Sequence, residues 1–533
     1  MKQAWRTTWI AAIAVLAILV AGCGNSGSQR DPESLPGTQV QAGDASSANA
    51  RVAVTIDEIG VTSVTPQGWT ETTAGLFAYE SAELGFGAIP SSSAPDLEEE
   101  GFELVEQLAS DGRVWNLYDL EAGGVIVRLA ATEIGDIAYF VTLQSPATLV
   151  EEYAESVLLP ALEAFETGEI ADSWRILDDL DPADGDLQDL LDELIARTDL
   201  PALGVTVFDG ETIIETAVSG VRRRGDPTPV EPTDLFHIGS NTKAMTATLG
   251  ATFVDEGVIS WETTVEEIFG DVFPDLDEGL AQVTFRQLLS HTAGFDVLED
   301  ERTFLPLLGT DDDLPVTERR FEIAETSLTQ PAPHPAGRYE YSNVGYTIVG
   351  AMLEELTGTS WEDLVQTRLF DVLGMRSCGF YAPGAPGEVD QPWGHFDERG
   401  GEAIDPGDPN AELPHALAPA GLVHCSMSDW ALFLQSQLRG FQGSATEIIS
   451  PEAFVALQTP AESSDYALGW VAVEAPLGFV ITHNGSNQRF TSDVLLVPGE
   501  NWGALVVTNL GAGMAAPTID AVGEAITTRY LNP

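Results

Sequence analysis

The stretch "FHIGSNTKAMTA", from Phe236 to Ala247, holds Lys243, one of the two lysines in a chain of 533 residues; the other is Lys2. Ser240 stands three residues before Lys243. The sequence that follows predicts a helix that begins near Ser240 and ends near Gly257. Residues spaced three apart share a helix face, so the serine and lysine side chains are expected to lie together. A lysine kept here, where arginine would serve as a surface charge, indicates a chemical role.

This pair has the composition of an activated nucleophile. A serine hydroxyl attacks poorly until a base removes its proton, and a lysine in a water-poor cleft has a lowered pKa and can be that base. The backbone N–H groups at a helix N-terminus also favour developing negative charge. Ser-x-x-Lys alone is a weak motif, and a solvated lysine after an N-capping serine is the alternative interpretation.

A second element, "YEYSNVGYTIVGAML", places Tyr341 and Asn343 directly before or at the start of a predicted helix. A phenol beside an ammonium group can be held partly ionised and can relay protons. An asparagine amide can donate a hydrogen bond to a substrate carbonyl. Tyr-x-Asn arises often by chance, so this element also carries little weight alone.

A third element, "THNGSNQRF", places His483, Gly485 and Ser486 at the end of a predicted strand. A glycine there lets a substrate lie close to an edge strand. The N–H groups of Ser486 and Ser240 are expected to form an oxyanion hole. His483 would donate to a substrate oxygen and tune the tyrosine of the second element, although an isolated histidine is more often structural.

Taken in this order, the three elements resemble the serine β-lactamase-like, penicillin-recognising family. The resemblance is strongest to the branch of class C β-lactamases, D-alanyl-D-alanine peptidases, D-aminopeptidases and esterases. The segments "TFRQLLSHTAGF" (284–295), "PAGLVHCSMSDWALFL" (419–434) and "YALGW" (466–470) are similar to further elements of that family. The resemblance covers about residues 190–530 and implies a β-lactamase/transpeptidase-like α+β fold.

The resemblance also implies a role for each residue. Ser240 would be the acylated nucleophile and Lys243 the base that activates it. Tyr341 would carry the proton to the leaving group and help to activate water for deacylation. Asn343 would orient the substrate amide, and the N–H of Ser486 would complete the oxyanion hole.

The sequence departs from the class C pattern at His483, where those β-lactamases usually carry lysine. A histidine at this position is more similar to the pattern of the peptidases, D-amino-acid amidases and esterases. In a chain so poor in lysine, the histidine can also be a simple replacement for that lysine. We therefore expect an acyl-enzyme serine hydrolase that cleaves an extracytoplasmic amide or ester. The alternatives are a true class C-like β-lactamase, a penicillin-binding receptor without turnover, and an envelope-binding protein. No Gly-x-Ser-x-Gly elbow of another hydrolase fold occurs in the chain.

The N-terminal part of the chain predicts export and a second domain. Residues 1–23 are typical of a signal peptide, and its last four residues, Val20 to Cys23, resemble a bacterial lipobox. We therefore expect a protein anchored through lipid on Cys23 to the outer face of a membrane. A plain secretory peptide is the alternative. Residues 24–50 read as a flexible tether. Residues 51–170 predict a small α+β accessory domain of unknown role, with helical patterns near 97–109 and 147–166. The acidic segment 177–186 is the expected boundary.

The large domain, 187–533, opens with an amphipathic helix and a hairpin that turns at Asp209-Gly210. A long helical region follows, and then the strand-like runs "GFVITHNG", "SDVLLVPG" and "WGALVVTNL" and a final helix near 515–530. Two early and three late strands predict a five-stranded antiparallel sheet. Helices would flank that sheet, and the helical middle would form a lobe against it.

Composition limits the partners. The chain carries 84 acidic and 23 basic residues, a net charge of −61, while 44% of its residues are hydrophobic. Such a field argues against nucleic acid and anionic membrane surfaces as partners, and fits a folded body with a salt-adapted surface. The scattered histidines predict no metal site, and we expect no cofactor. In an oxidising compartment Cys378 and Cys425 would form a disulfide or remain as two buried thiols.

Overall fold

The computed structural model divides the chain into two compact units, Met1–Asp179 and Leu180–Pro533. The division falls inside the acidic segment 177–186. The structure describes the strands between 38 and 146, then residues 148–167, 180, 182–295, 303, 314–396, 401–462, 464–475 and 477–531. Residues 1–23, with the predicted signal peptide and Cys23, lie outside the described residues.

The described part of the N-terminal unit is dominated by antiparallel strands. Its strands are β1 Thr38–Gln41, β2 Arg51–Ile56, β3 Val61–Pro66, β4 Thr70–Thr73, β5 Leu76–Tyr79, β6 Ala82–Pro90, β7 Glu103–Ser110, β8 Arg113–Ala122, β9 Val125–Ile134, β10 Ile137–Pro146 and β11 Glu166–Thr167. Within these described strands, β4-β5-β6-β10-β9-β8-β7 form one sheet and β1-β2-β3-β11 a second. A helical segment runs through α1 Val150–Tyr153, a π-helical turn Ala154–Leu158 and α2 Leu159–Glu163. It buries its apolar side against Trp115, Tyr139 and Phe165.

Two expectations for this unit are corrected. The helix expected near 97–109 is wrong for its described half, because Glu103–Ser110 is a strand paired antiparallel with Arg113–Ala122. Strand pairing in a sheet outweighs the helix preference of the Glu-rich sequence. The expected tether 24–50 is not irregular throughout, since Thr38–Gln41 pairs with Arg51–Ile56.

The large unit is built on an antiparallel sheet. Its strands are β12 Ala202–Phe208, β13 Ile213–Gly220, β19 Val471–Ala475, β20 Gly478–Ser486, β21 Thr491–Val497 and β22 Trp502–Thr508. In the part of the chain that the structure describes, their order is β13-β12-β22-β21-β20-β19. All five predicted strands are present, and β19 adds an unpredicted sixth at the edge beside β20.

The helices flank this sheet and form the lobe. They are α3 Leu187–Arg197, α4 Thr242–Asp255, α5 Val265–Phe269, α6 Glu278–Ala281, α7 Phe285–Leu289, α8 Val316–Leu328, α9 Asn343–Thr357, α10 Trp361–Val365, α11 Asp371–Leu373, α12 Ala418–Gly421, α13 Met427–Phe441, α14 Pro451–Leu457 and α15 Ala512–Leu531. Helix α3 begins at a capping box between Asp186 and Asp189 and packs against β12 and β13. Helix α4 is buried at every position from Thr242 to Phe253, so it is the central helix of the lobe.

A small sheet supports the strand that leads into α4. Strand β14 Leu235–His237 pairs with β18 Val423–Ser426, which also pairs with β15 Gly379–Phe380. Between β15 and β18 in the chain, β16 His395–Phe396 pairs with β17 Glu402–Ala403. A disulfide joins Cys378 to Cys425, across 47 residues of chain, at the small sheet. Closing so long a loop restricts the unfolded chain, so the disulfide stabilises the small sheet from which the Ser240 turn begins.

Two features are absent among the described residues. None of their helices combines the length and the apolar character that a membrane crossing requires. Nor do three His, Cys, Asp or Glu side chains of this part come together as metal ligands would.

Asp493 and Asp520 place carboxyl groups between the sheet and the last helix. Asp493 lies on β21, and strand alternation turns it away from Ser492, whose hydroxyl faces the Ser240 turn. Burial raises the pKa of Asp493 to about 8, with a further contribution from Asp520. Burial also raises the pKa of Asp520 to about 7.

This arrangement predicts a pH-dependent stability. Between about pH 4 and pH 8 the folded protein retains a proton on Asp493 that the unfolded chain has released, so the free energy of unfolding falls as pH rises. The decrease is at most about 1.4 kcal/mol per pH unit. Asp493→Asn should flatten this dependence in chemical denaturation at pH 5 and pH 8 in high salt. Replacement of the exposed Glu211 by Gln is the control for one lost charge, and an equal effect of both variants would contradict the prediction.

Candidate active site

Ser240 lies in a turn that the sequence shapes locally. The 3-10 turn Gly239–Asn241 stands between β14 and α4, and Gly239 has a φ of +52°. That left-handed conformation suits glycine. The N–H of Gly239 donates to Nδ1 of His237 (3.1 Å), so the imidazole holds the turn that presents Ser240.

Lys243 is fully buried and its ammonium nitrogen is surrounded by oxygens. Nζ donates to Ser240 Oγ (3.1 Å), to Asn343 Oδ1 (2.7 Å) and to the carbonyl of Ala420 (2.7 Å). It also lies 4.7 Å from the centre of the Tyr341 ring. All three acceptors are neutral, so none of them stabilises the ammonium form as a carboxylate would. The surroundings therefore suit a lysine that takes up and releases a proton.

Tyr341 completes a three-residue arrangement around the hydroxyl. Its Oη donates to Ser240 Oγ at 2.9 Å, beside the contact from Lys243. Ser342 caps helix α9 and Asn343 begins it, so this helix start fixes both Tyr341 and the Asn343 amide. The structure brings together the residues that the first two sequence elements predict, over a separation of 100 residues between Lys243 and Asn343.

The end of β20 packs directly against the Ser240 turn, with backbone against backbone and no side chain between them. A Cβ at Gly485 would stand 2.2 Å from the Ile238 carbonyl oxygen and 2.9 Å from the Ser240 nitrogen. A Cβ at Gly239 would stand 2.3 Å from the Ser486 nitrogen. Each distance is too short for a real side chain, so both glycines are required. The close approach sets the amide nitrogens of Ser240 and Ser486 at the same junction.

His483 is buried beside this junction and is neutral. Burial, and then the charge of Lys243, lower the pKa of His483 to about 3. Its Nδ1 faces the Asn484 carbonyl at 2.5 Å and must donate to it, so Nε2 accepts from Tyr466 Oη at 2.9 Å. The described hydrogen bonds of His483 go to Tyr466 and Asn484, and its predicted effects on a substrate oxygen and on Tyr341 stay predictions.

Sequence reasoning assigned no role to Tyr466 and Tyr346. Both are buried, and burial raises the pKa of each phenol well above its usual value. Tyr346 Oη donates to the Leu289 carbonyl, and Nζ of Lys243 lies 5.4 Å from the centre of the Tyr346 ring. Gly469, three residues after Tyr466, packs on the backbone of α4 at Lys243. In sequence Tyr346 stands among apolar residues, a pattern typical of core positions. Tyr466 begins the family-like segment "YALGW", but nothing in that segment indicates a contact with His483.

The comparisons with known proteins agree with the fold, which is β-lactamase/transpeptidase-like. Residues 187–527 match the family model described as Beta-lactamase. The match takes in well over half of the chain, so the chain belongs to the Beta-lactamase family.

Individual relatives are more distant. Penicillin-binding protein 4 of Amycolatopsis lactamdurans is 28% identical over 336 residues, which are 61% of this chain and 84% of that protein. Unguisins hydrolase ungD' of Aspergillus campestris is 25% identical over 348 residues, which are 62% of each chain, so this chain spans less than two thirds of that hydrolase. The octameric penicillin-binding protein homologue from Pyrococcus abyssi has a TM-score of 0.52 at 23% identity, covering 63% of this chain and 77% of that one, and shows the fold alone.

The contact at Gly485 gives a direct test of the junction. Gly485→Ala should lower the rate of Ser240 acylation by about 100-fold or more, the usual cost of a lost oxyanion donor, because the added Cβ pushes β20 from the turn. Gly499→Ala is the matched control, since a Cβ at Gly499 meets nothing within 4 Å. The measurement is the rate of labelling by a fluorophosphonate. A Gly485→Ala protein that is labelled at the wild-type rate would show that this contact does not shape the site.

Proposed function

We propose that the protein is a serine hydrolase that forms an acyl-enzyme on Ser240. The observation that carries the proposal is the convergence of Lys243 Nζ and Tyr341 Oη on one serine hydroxyl, at 3.1 Å and 2.9 Å. A hydroxyl with two proton-transfer groups in hydrogen-bond range has the geometry of an activated nucleophile. The membership of the Beta-lactamase family and a relative named as a hydrolase support the same reading.

The acylation step follows from these positions. The step starts from the neutral amine of Lys243, which has released one ammonium proton and accepts from the Ser240 hydroxyl. Its Nζ takes the proton as Ser240 Oγ bonds to the substrate carbonyl carbon, and the carbonyl electron pair moves onto oxygen. The N–H groups of Ser240 and Ser486 stabilise that oxyanion. The oxyanion collapses, the bond to the leaving amine or alcohol breaks, and Tyr341 delivers a proton to the leaving group. Lys243 then returns its proton to Tyr341, and Asn343 orients the substrate amide.

Deacylation uses the same groups. Tyr341 and Lys243 take a proton from water as its oxygen attacks the acyl carbon, and Ser240 leaves with that proton. Lys243 can serve in both steps because the oxygens of Ser240, Asn343 and Ala420 around it are neutral and do not hold it as an ammonium.

The substrate class that we propose is an amide or an ester whose binding does not depend on an ion pair between a substrate carboxylate and His483. A lysine at this place would add a cation next to the acyl site. The imidazole of His483 is neutral, with a pKa of about 3, and gives no ion pair to the carboxylate of a β-lactam. A D-amino-acid amide, a D-alanyl peptide held by other groups, or a carboxylic ester fits better. We expect the protein to act outside the cytoplasm, because residues 1–23 are typical of an export signal.

The nucleophile is tested by replacement. Ser240→Ala should abolish covalent labelling by a fluorophosphonate, because no other hydroxyl receives both Lys243 and Tyr341 in the described hydrogen bonds. Ser219→Ala removes a serine that bonds Asp192 and is the matched control, expected to label fully. Intact mass of residues 51–533 in high salt reads the adduct. Labelling that survives in Ser240→Ala would identify a different nucleophile.

The substrate class is tested at His483. His483→Lys should raise the rate of acylation by benzylpenicillin by about tenfold, since a hydrogen bond to a charged group contributes roughly 1.5–3 kcal/mol. His483→Asn removes the imidazole without adding a cation, and should not raise that rate. Time-resolved intact mass gives acylation and deacylation separately. If the Lys variant behaves as the Asn variant does, this position does not set the substrate class and the class C-like alternative stands.

A further inference from the structure

His291 follows helix α7 with a backbone conformation that a residue other than glycine rarely adopts. Its φ is +58°, and its side chain is buried with 2% exposed. Left-handed backbone costs a side-chain-bearing residue of order 1–3 kcal/mol, and such strain collects at functional sites. The strained backbone at His291 therefore indicates a role for this side chain beyond filling space in the core.

The hydrogen bonds of His291 bracket Tyr341 on both sides. The carbonyl of His291 accepts from the N–H of Glu340 at 2.8 Å. Its Nδ1 accepts from the N–H of Ser342 at 3.1 Å. One residue thus holds the backbone immediately before and immediately after Tyr341.

The imidazole ring also packs on the phenol of Tyr341. The two ring centres lie 4.3 Å apart with 37° between the planes. The Tyr466 ring lies 4.6 Å and the Tyr346 ring 5.1 Å from the same imidazole. His291 therefore fills the space behind Tyr341, on which the reach of Tyr341 Oη toward Ser240 depends.

The protonation state of His291 supports a role for Nδ1. Burial, and then the charge of Lys243, hold the pKa of His291 well below its usual value, so the ring is neutral. Because Nδ1 accepts from Ser342, the proton sits on Nε2, which has no hydrogen-bond partner among the described residues. An unpaired buried donor costs roughly 1–3 kcal/mol. An apolar side chain would avoid that cost but could not accept the Ser342 N–H.

We propose that His291 is a positioning residue for Tyr341, and that its Nδ1 and ring together set Tyr341 Oη on Ser240. The proposal rests on the proposed function, since it assigns His291 an effect on the acylation of Ser240. The described hydrogen bonds of His291 go to Glu340 and Ser342 and not to the serine hydroxyl, so His291 acts through the tyrosine.

A double-mutant cycle tests the proposal, with the rate of fluorophosphonate labelling at Ser240 as readout. His291→Ala should lower that rate by about tenfold or more in the wild-type background. In a Tyr341→Phe background the same change should alter it by less than about twofold, because residues that act as one unit are not additive. Equal factors in both backgrounds would overturn the proposal.

Conservative variants separate positioning from folding. Asn tolerates positive φ and can place its Oδ1 where Nδ1 accepts, so His291→Asn should recover most of the rate; Gln reaches toward Nε2 instead, and His291→Gln should not. His395→Ala removes another fully buried histidine, bonded to the Asn509 carbonyl, and should lower the melting temperature without lowering the labelling rate. His291→Asn and His291→Gln that label equally would contradict the role of Nδ1.

A crystal structure of His291→Ala, or of His291→Gln where the Ala variant does not fold, decides the positioning without any activity. A Tyr341 Oη that has left Ser240 Oγ supports the proposal, and a distance that stays at 2.9 Å rejects it. The failure of the proposed function is recognised separately, as wild-type protein that no fluorophosphonate labels at Ser240.

Discussion

The burial of one ammonium group governs the architecture of the large unit. Removing a lysine nitrogen from water is costly unless polar atoms replace its hydration. Lys243 meets that demand with oxygens from Ser240, Asn343 and Ala420, which belong to three different segments. The turn before α4, the start of α9 and the short helix α12 must therefore meet at one point. Satisfying the charge and assembling the site are the same structural event.

Around this charge the site is lined by neutral polar rings. Burial and the charge of Lys243 keep the imidazoles of His483 and His291 uncharged. Burial keeps the phenols of Tyr466 and Tyr346 protonated. In a chain of net charge −61, the described part of the site thus relies on neutral hydrogen-bonding groups close to one titratable lysine. Such a lining leaves Lys243 and Tyr341 as the groups that exchange protons with Ser240, the leaving group and water during the reaction that we propose.

The limits of sequence reasoning appear at particular elements. The helical pattern near 97–109 failed because Glu103–Ser110 gains more from pairing with Arg113–Ala122 than its Glu-rich sequence gains from a helix. The edge strand Val471–Ala475 was missed because five residues give little alternation to read. The hairpin and the late strands of the main sheet were predicted, since their apolar runs are bounded by clear turn residues.

The sequence by itself determined the Ser240–Lys243 pair, because three residues along a helix bring two side chains to one face whatever the fold. It also marked Tyr341, Asn343, His483 and Gly485 as candidates through the order of three short elements. Only the tertiary structure decided which of these groups touch. Hydrogen bonds between residues 100 or more positions apart, and pKa shifts caused by burial, depend on packing that no local pattern contains.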